Sequence, residues 1–217
     1  MIDTVLQRKN MVESQIRPSD VTDRRITSAM LDIPRERFVP KDAASLSYMD
    51  SALVVAQGRS LLAPRDFARL VQLAQIEASD KVLIVGGLGG YSSAVIARMA
   101  ATVVAVEADK AVSAEAAKTL KALSIANVSC VAGDLVSGCA VSAPYDVIVI
   151  EGGVEIVPDA LLAQLADRGR LVAVEFEQGV GRAVIRQKSG ETLSRRAVFE
   201  ASAPLLPGFA RANAFAF

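Results

Sequence analysis

From Asp80 onward the chain repeats one unit: a short apolar run, a glycine or acid that closes it, then a stretch at helical spacing. Lys81-Val82-Leu83-Ile84-Val85 is continuously apolar after its first residue, as in strands buried on both faces of a parallel sheet, and Gly86-Gly87-Leu88-Gly89-Gly90 ends it. Further strands are expected over 102–106, closing at Glu107, and over 128–131, closing at Gly133-Asp134. Two more are expected over 146–150, closing at Glu151-Gly152-Gly153, and over 171–176. Helices are predicted over 92–99, 111–123 and 158–165. Strands alternating with helices demand crossovers, hence a parallel sheet covered on both faces. Two last runs, 182–187 and 193–200, flank Lys188-Ser189-Gly190-Glu191 and predict an antiparallel hairpin. The fold class is α/β: a doubly wound, mostly parallel sheet with an antiparallel C-terminal hairpin.

The first 78 residues read differently. Val5, Met11, Val12 and Ile16, then Ile26, Met30, Leu31 and Ile33, are apolar at helical spacing, and Pro18, Pro34, Pro40 and Pro64 interrupt them. Short helices and connecting loops are expected, followed by a helix over 66–78 with Asp66 near its positive end. The chain divides into an N-terminal helical segment, 1–78, and a core, 79–217.

Composition removes several function classes. The chain has no histidine, so an imidazole base, a Ser-His-Asp triad and a His-ligated zinc are excluded. With 24 Lys+Arg against 24 Asp+Glu it carries no net charge to grip nucleic acid or an anionic membrane. Cys130 and Cys139 fit neither a zinc spacing nor a disulfide framework; reduced thiols and no metal site are expected. Asp3, Arg8 and Lys9 open the chain with no apolar leader behind them, and no apolar run reaches the ~18 residues of a membrane span. A soluble, cytoplasmic protein is expected.

In sheets of this kind ligands bind beyond the carboxyl ends of the strands, near the switch in strand order. That rule selects 86–91, 107–109, Gly133-Asp134 and 151–153. Glycine lets backbone approach a ligand closely. Glu107, twenty residues after Gly87, can accept both hydroxyl hydrogens of a ribose, and Asp134 can accept an exocyclic amine. The pattern describes an adenosine site of either the dinucleotide or the S-adenosylmethionine type, or else turns used only for tight packing. Gly87-Leu88-Gly89-Gly90-Tyr91-Ser92 approximates the dinucleotide fingerprint with Ser in the last place. Such fingerprints usually open their domain, however, and no Tyr-x-x-x-Lys hydride-transfer set is present.

Pro34-Arg35-Glu36-Arg37-Phe38-Val39-Pro40, then Tyr48, Asp50, Gly58 and Ala63-Pro64, resemble the N-terminal region of protein-L-isoaspartate O-methyltransferases. The resemblance continues in order through Gly86, Gly90-Tyr91, Glu107, Asn127-Val128, Gly133-Asp134, Pro144-Tyr145-Asp146 and Gly169-Arg170-Leu171. It implies a Rossmann-like methyltransferase core that uses S-adenosyl-L-methionine and methylates isoaspartyl residues in proteins or peptides, in the repair of damaged aspartyl residues. It places Gly86, Gly90, Tyr91, Glu107 and Asp134 at the cofactor and Ser60 at the acceptor; the glycine turn itself adds Gly87 and Gly89 to the cofactor set, either of which can take the bend.

The chain departs from that pattern at three places. Where the family reads Gly-x-Thr-Ile-Ser-x-Pro, this sequence has Gly58-Arg59-Ser60-Leu61-Leu62-Ala63-Pro64. Leu62 replaces the serine that meets the acceptor carboxylate, a loss of about 1.5–3 kcal/mol if nothing compensates. Ile84 stands where the family has a first-strand glutamate, and Leu88 where it has a glycine. Glu151 occurs where the family tends to have Thr or Cys; it either supplies the missing carboxylate, repels an acidic acceptor, or is a solvated loop residue. Glu155 and Asp159 are expected at the start of the following helix. The segment 204–209 and the end Phe215-Ala216-Phe217 are apolar, suited to core docking or to a partner contact. The reading is a protein carboxyl methyltransferase of this type. The alternative is a divergent paralogue with an altered acceptor or lost catalysis, serving as a binding or regulatory module. A nicotinamide oxidoreductase is a distant third.

Overall fold

The computed structural model describes residues 3–56 and 58–211. Helix α1 (Thr4–Met11) starts where the Asp3 carboxylate accepts the Leu6 N–H at 3.0 Å, and it runs on through a π-helical turn, Val12–Ile16. Helix α2 (Arg24–Asp32) is capped by Asp23 and stops at Ile33, which is extended because Pro34 follows it. Met11, Val12, Ile16, Ile26, Met30 and Ile33 are buried, as their spacing predicts, whereas Leu31 is half-buried and Val5 is exposed. A two-stranded antiparallel hairpin then appears where only helices and loops are expected. It consists of β1 (Leu53–Ala56) and β2 (Arg59–Leu61), with Gly58 turning at φ +68°. Helix α3 (Pro64–Ala74) ends earlier than predicted because Gln75 adopts a left-handed conformation.

The core follows as β3 (Lys81–Val85), α4 (Tyr91–Ile96), β4 (Thr102–Glu107), α5 (Lys110–Ala122), β5 (Val128–Ala132), β6 (Tyr145–Val154), α6 (Asp159–Leu162), β7 (Leu165–Glu177), β8 (Val180–Ser189) and β9 (Thr192–Glu200). The sheet order is β5-β4-β3-β6-β7-β8-β9, parallel through β7 and antiparallel beyond it. The predicted doubly wound sheet with its C-terminal hairpin is the observed fold. Alternate strand residues face two cores. Val82, Ile84, Val147 and Val149 pack with the N-terminal helices, α3 and α4, whereas Leu83, Val85, Ile148 and Ile150 pack with Leu161, Leu206 and Phe209. The strand order reverses between β3 and β6, which sets the ligand crevice at residues 86–91 and 151–153.

Three expectations are corrected here. Strand β6 does not end at Ile150: Glu151-Gly152-Gly153 continue it through an irregularity in register, and all three are buried. The cause is the C-terminal segment, which pairs with Gly153 through Gly153 N–H to Pro204 O and Leu206 N–H to Gly153 O, both 2.8 Å. The helix predicted over 158–165 is a four-residue turn, because Leu165 already pairs with Tyr145 as β7. Glu155 lies outside that helix and accepts the Arg211 N–H at 2.7 Å; Asp159 is in its first turn, as expected. The 204–209 segment docks in the core through Leu206 and Phe209, while Phe215 and Phe217 lie outside the described residues. Cys130 and Cys139 are free thiols, and the described residues contain no metal-ligating cluster. Among the described residues no helix is long and apolar enough to cross a membrane.

Candidate active site

The turn after β3 is built on positive φ: Gly86 at +79°, Leu88 at +45° and Gly90 at +92°. Leu88 is the residue without a glycine's freedom, and its left-handed backbone costs about 1–2 kcal/mol. That conformation turns its N–H onto Glu107 Oε2 at 3.0 Å, while its side chain is buried. Gly89 and Gly90 serve packing: a Cβ on Gly89 would lie 2.5 Å from Phe38 O, and one on Gly90 3.2 Å from Ala116 Cβ. Tyr91 is fully buried among Phe38, Phe67 and Arg35, with ring separations of 5.8 and 5.7 Å and the guanidinium 4.6 Å above the ring. Burial pushes its hydroxyl up to about 12. These three residues, read from sequence as cofactor contacts, hold the turn against the N-terminal segment and α5.

Glu107 closes β4 as expected, but its carboxylate is already engaged on all sides. Oε1 accepts Arg59 Nη1 at 2.8 Å and the Ala108 N–H at 2.8 Å; Oε2 accepts Arg59 Nη2 at 3.0 Å and the Leu88 N–H. An ionised carboxylate offers about four acceptor sites, so none is left. Arg59 comes from β2, is nine-tenths buried, and also donates through Nη2 to Gly86 O at 2.9 Å. Leu206 covers the same place from the other side. A Cβ on Gly86 would lie 3.1 Å from Arg59 Nη2 and 3.2 Å from Leu206 Cδ2, and one on Gly152 would overlap Leu206.

Beneath the turn sits Glu151, only 2% exposed, which removes the solvated-loop alternative. Burial raises its carboxyl to about 7. The Ser92 hydroxyl and the charges of Arg35 and Arg59 favour its ionised form, and the nearby Glu107 opposes it. No well-formed hydrogen bond reaches Glu151 Oε2 or Ser92 Oγ, and Arg35 Nη1 and the Tyr91 hydroxyl are likewise buried without partners. Arg35 is fully buried on the N-terminal side. It donates to Ser47 O at 2.8 Å and Leu62 O at 2.7 Å, and burial lowers its pKa.

The remaining expected residues are dispersed. Asp134 is exposed and caps its own turn, accepting from Ser137 Oγ at 2.5 Å and from the Ser137 N–H at 3.1 Å; the Ser137 hydroxyl holds its pKa below the usual carboxylate range. Ser60 is half-buried on β2. Leu62 is 1% exposed and belongs to the core. A cavity of about 550 Å³ lies outside this group, between the Phe38-Val39 turn, Val55, Leu88 and α5; of the expected residues only Gly89 lines it. Sequence reasoning missed Arg59, Arg35 and Leu206. Arg35 lies within the Pro-Arg-Glu-x-Phe-Val motif and Leu206 within the apolar 204–209 segment, but neither pattern assigns a role at the site, and Arg59 stands as a lone cation beside a glycine turn.

Residues 6–199 match the profile of the family described as Protein-L-isoaspartate(D-aspartate) O-methyltransferase (PCMT). The chain belongs to this family. Its members are S-adenosylmethionine-dependent methyltransferases. A Protein-L-isoaspartate O-methyltransferase from Geobacter metallireducens is 34% identical over 191 residues, covering 87% of this chain and 88% of that protein. Protein-L-isoaspartate O-methyltransferase 2 of Shewanella sediminis is 36% identical, covering 76% of this chain and 68% of its own. A solved protein-L-isoaspartate O-methyltransferase superposes with a TM-score of 0.81 at 27% identity, over 93% of this chain and 66% of that one. A Plasmodium falciparum structure in complex with S-adenosyl-L-homocysteine shares the fold, with a TM-score of 0.78 at 18% identity over 92% of this chain and 97% of that one.

The residue types at the strand ends suit a nucleoside, and Arg59 holds the carboxylate that would take its ribose. A ribose diol needs the two acceptor sites on Glu107 that Arg59 holds, and Arg59 and Leu206 crowd the side of Gly86 where a Cβ would point. As arranged, S-adenosylmethionine would have to displace Arg59 from Glu107 to place its ribose there.

Proposed function

We propose that this chain is a protein carboxyl methyltransferase that esterifies isoaspartyl residues of proteins or peptides, in the repair of damaged aspartyl residues, with S-adenosyl-L-methionine as donor. The family match over 6–199 carries this reading, because it takes in both the Pro-Arg-Glu-x-Phe-Val segment and the ends of the parallel strands β3 to β7. A carboxylate is already nucleophilic, so transfer asks for positioning and exclusion of water and not for a base, and the absence of histidine is no obstacle. In this reading residues 1–78 form the acceptor side, with Ser60 as its hydroxyl, and 79–217 the cofactor side, with Gly86, Gly87, Glu107, Asp134 and Glu151. The site of action is the cytoplasm.

One observation favours the second reading, a paralogue with altered acceptor or lost catalysis: Glu107 is saturated by Arg59 while Leu62 is buried in the core. Incubation with methyl-labelled S-adenosylmethionine and a matched pair of peptides, isoaspartyl and aspartyl, separates the two. Base-labile label in the isoaspartyl peptide alone supports repair methylation. No label in either peptide assigns the chain to the second reading.

A further inference from the structure

We infer that Arg59 and Leu206 are built-in occupants that close the nucleoside cleft from within, so that a ribose binds only after Arg59 has left Glu107. The inference rests on reading this crevice as the family's nucleoside site, and concerns what controls access to it.

The carboxylate geometry carries the argument. Two of the four acceptor sites of Glu107 go to backbone N–H groups, of Leu88 in the turn after β3 and of Ala108 just past β4. The other two go to the paired nitrogens of Arg59, at 2.8 and 3.0 Å. A vicinal diol and a guanidinium fork both offer two parallel donors, so they compete for the same pair of sites. The guanidinium carries a charge and is largely withdrawn from water, which makes it the stronger occupant.

Arg59 is mounted on a separate element. The β1–β2 hairpin forms its own two-stranded sheet, and β2 is not hydrogen-bonded to the main sheet as a strand. Arg59 ties it to the ends of β3 and β4 through Gly86 O and Glu107. Ser60 follows Arg59 on the same strand, so nucleoside entry and the expected acceptor side share one element, which stays anchored to the core by Leu61. Leu206 forms the second half of the closure. The 204–206 backbone is pinned to Gly153, and the Leu206 side chain fills the space that the missing side chains of Gly86 and Gly152 leave open.

The test is calorimetric titration of the whole chain with S-adenosylhomocysteine, in the native protein and in Arg59→Gln, Leu206→Ala and the double variant. Closure from within predicts at least tenfold tighter binding for Arg59→Gln than for the native chain. It predicts a smaller gain for Leu206→Ala and the largest gain for the pair. A native-like unfolding transition shows that each variant is folded. Should Arg59→Gln fail to fold, Arg59→Lys serves: it keeps a cation beside Glu107 but gives up the paired fork, and it too must bind more tightly. Folded Arg59 variants that bind no better than the native chain, or that show no binding at all, overturn the inference. Variants that gain binding yet methylate neither peptide leave the closure standing and overturn the proposed activity instead.

Discussion

Glu151 and Ile84 meet beneath one glycine: a Cβ on Gly87 would lie 2.9 Å from Ile84 Cγ2 and 3.4 Å from Glu151 Oε2. Ile84 pairs in register with Val149, so Glu151 reaches this point from farther along the neighbouring strand. A carboxyl group thus arrives from β6 where β3 brings only a methyl. Its setting has a measurable consequence. With its pKa raised from 4.5 to about 7 by burial, Glu151 holds its proton in the folded chain after the unfolded chain has lost it. Stability therefore falls as pH rises from about 4.5 to about 7, by roughly 3 kcal/mol across the window. The lowered pKa values of Asp23, Asp134 and Glu175 act in the opposite sense and below that window, and there is no histidine to titrate within it. Urea unfolding at pH 5 and pH 7.5 measures the slope. Glu151→Gln is expected to flatten it, and an unchanged slope would contradict the assignment.

Arg35 ties the N-terminal segment to the core by bonding Ser47 O and Leu62 O while lying over Tyr91 of α4. Its removal strands two buried carbonyls and opens a cavity. Arg35→Met is expected to cost about 3–5 kcal/mol. Arg35→Lys recovers only part of this, because a single ammonium cannot reproduce two bonds set by a planar fork. Denaturant midpoints for the two variants test the prediction.

Leu62→Ser restores the family's residue in name only. The leucine side chain is inside the core, so the serine loses packing and buries a hydroxyl. A loss of about 2–4 kcal/mol is expected, with no gain in isoaspartyl methylation. A gain without loss of stability would show that the side chain can face the acceptor.

The 204–206 segment and Gly152 are fitted to each other. Gly152→Ala places a methyl against Leu206 and is expected to cost about 1–3 kcal/mol. In a Leu206→Ala background most of that cost disappears, giving a coupling that a double-mutant cycle measures. Additive effects would mean that the two do not touch.

The sheet was legible because each core strand is an apolar run closed by glycine or an acid, and that pattern permits few alternatives. The β1–β2 hairpin was not: Leu53-Val54-Val55-Ala56 is too short to separate from a loop, and Gly58 marks a turn without saying what it joins. Glu107 and Glu151 were found from their places at strand ends. Their surroundings were hidden, since a sequence shows an acid at the end of a strand but not the arginine, forty-eight residues earlier, that occupies it. The apolar 204–209 segment suits docking in the core, but the partners of Leu206 were hidden. Its role depends on two glycines distant in sequence, and only the folded chain brings them together.

The central claim is a family methyltransferase whose nucleoside cleft is held shut by its own arginine. The most direct measurement is the rate of methyl transfer to an isoaspartyl peptide against S-adenosylmethionine concentration, in the native chain and in Arg59→Gln. The account predicts transfer by both, with KM for the donor at least tenfold lower in Arg59→Gln. Transfer with KM unchanged or raised in that variant would contradict it.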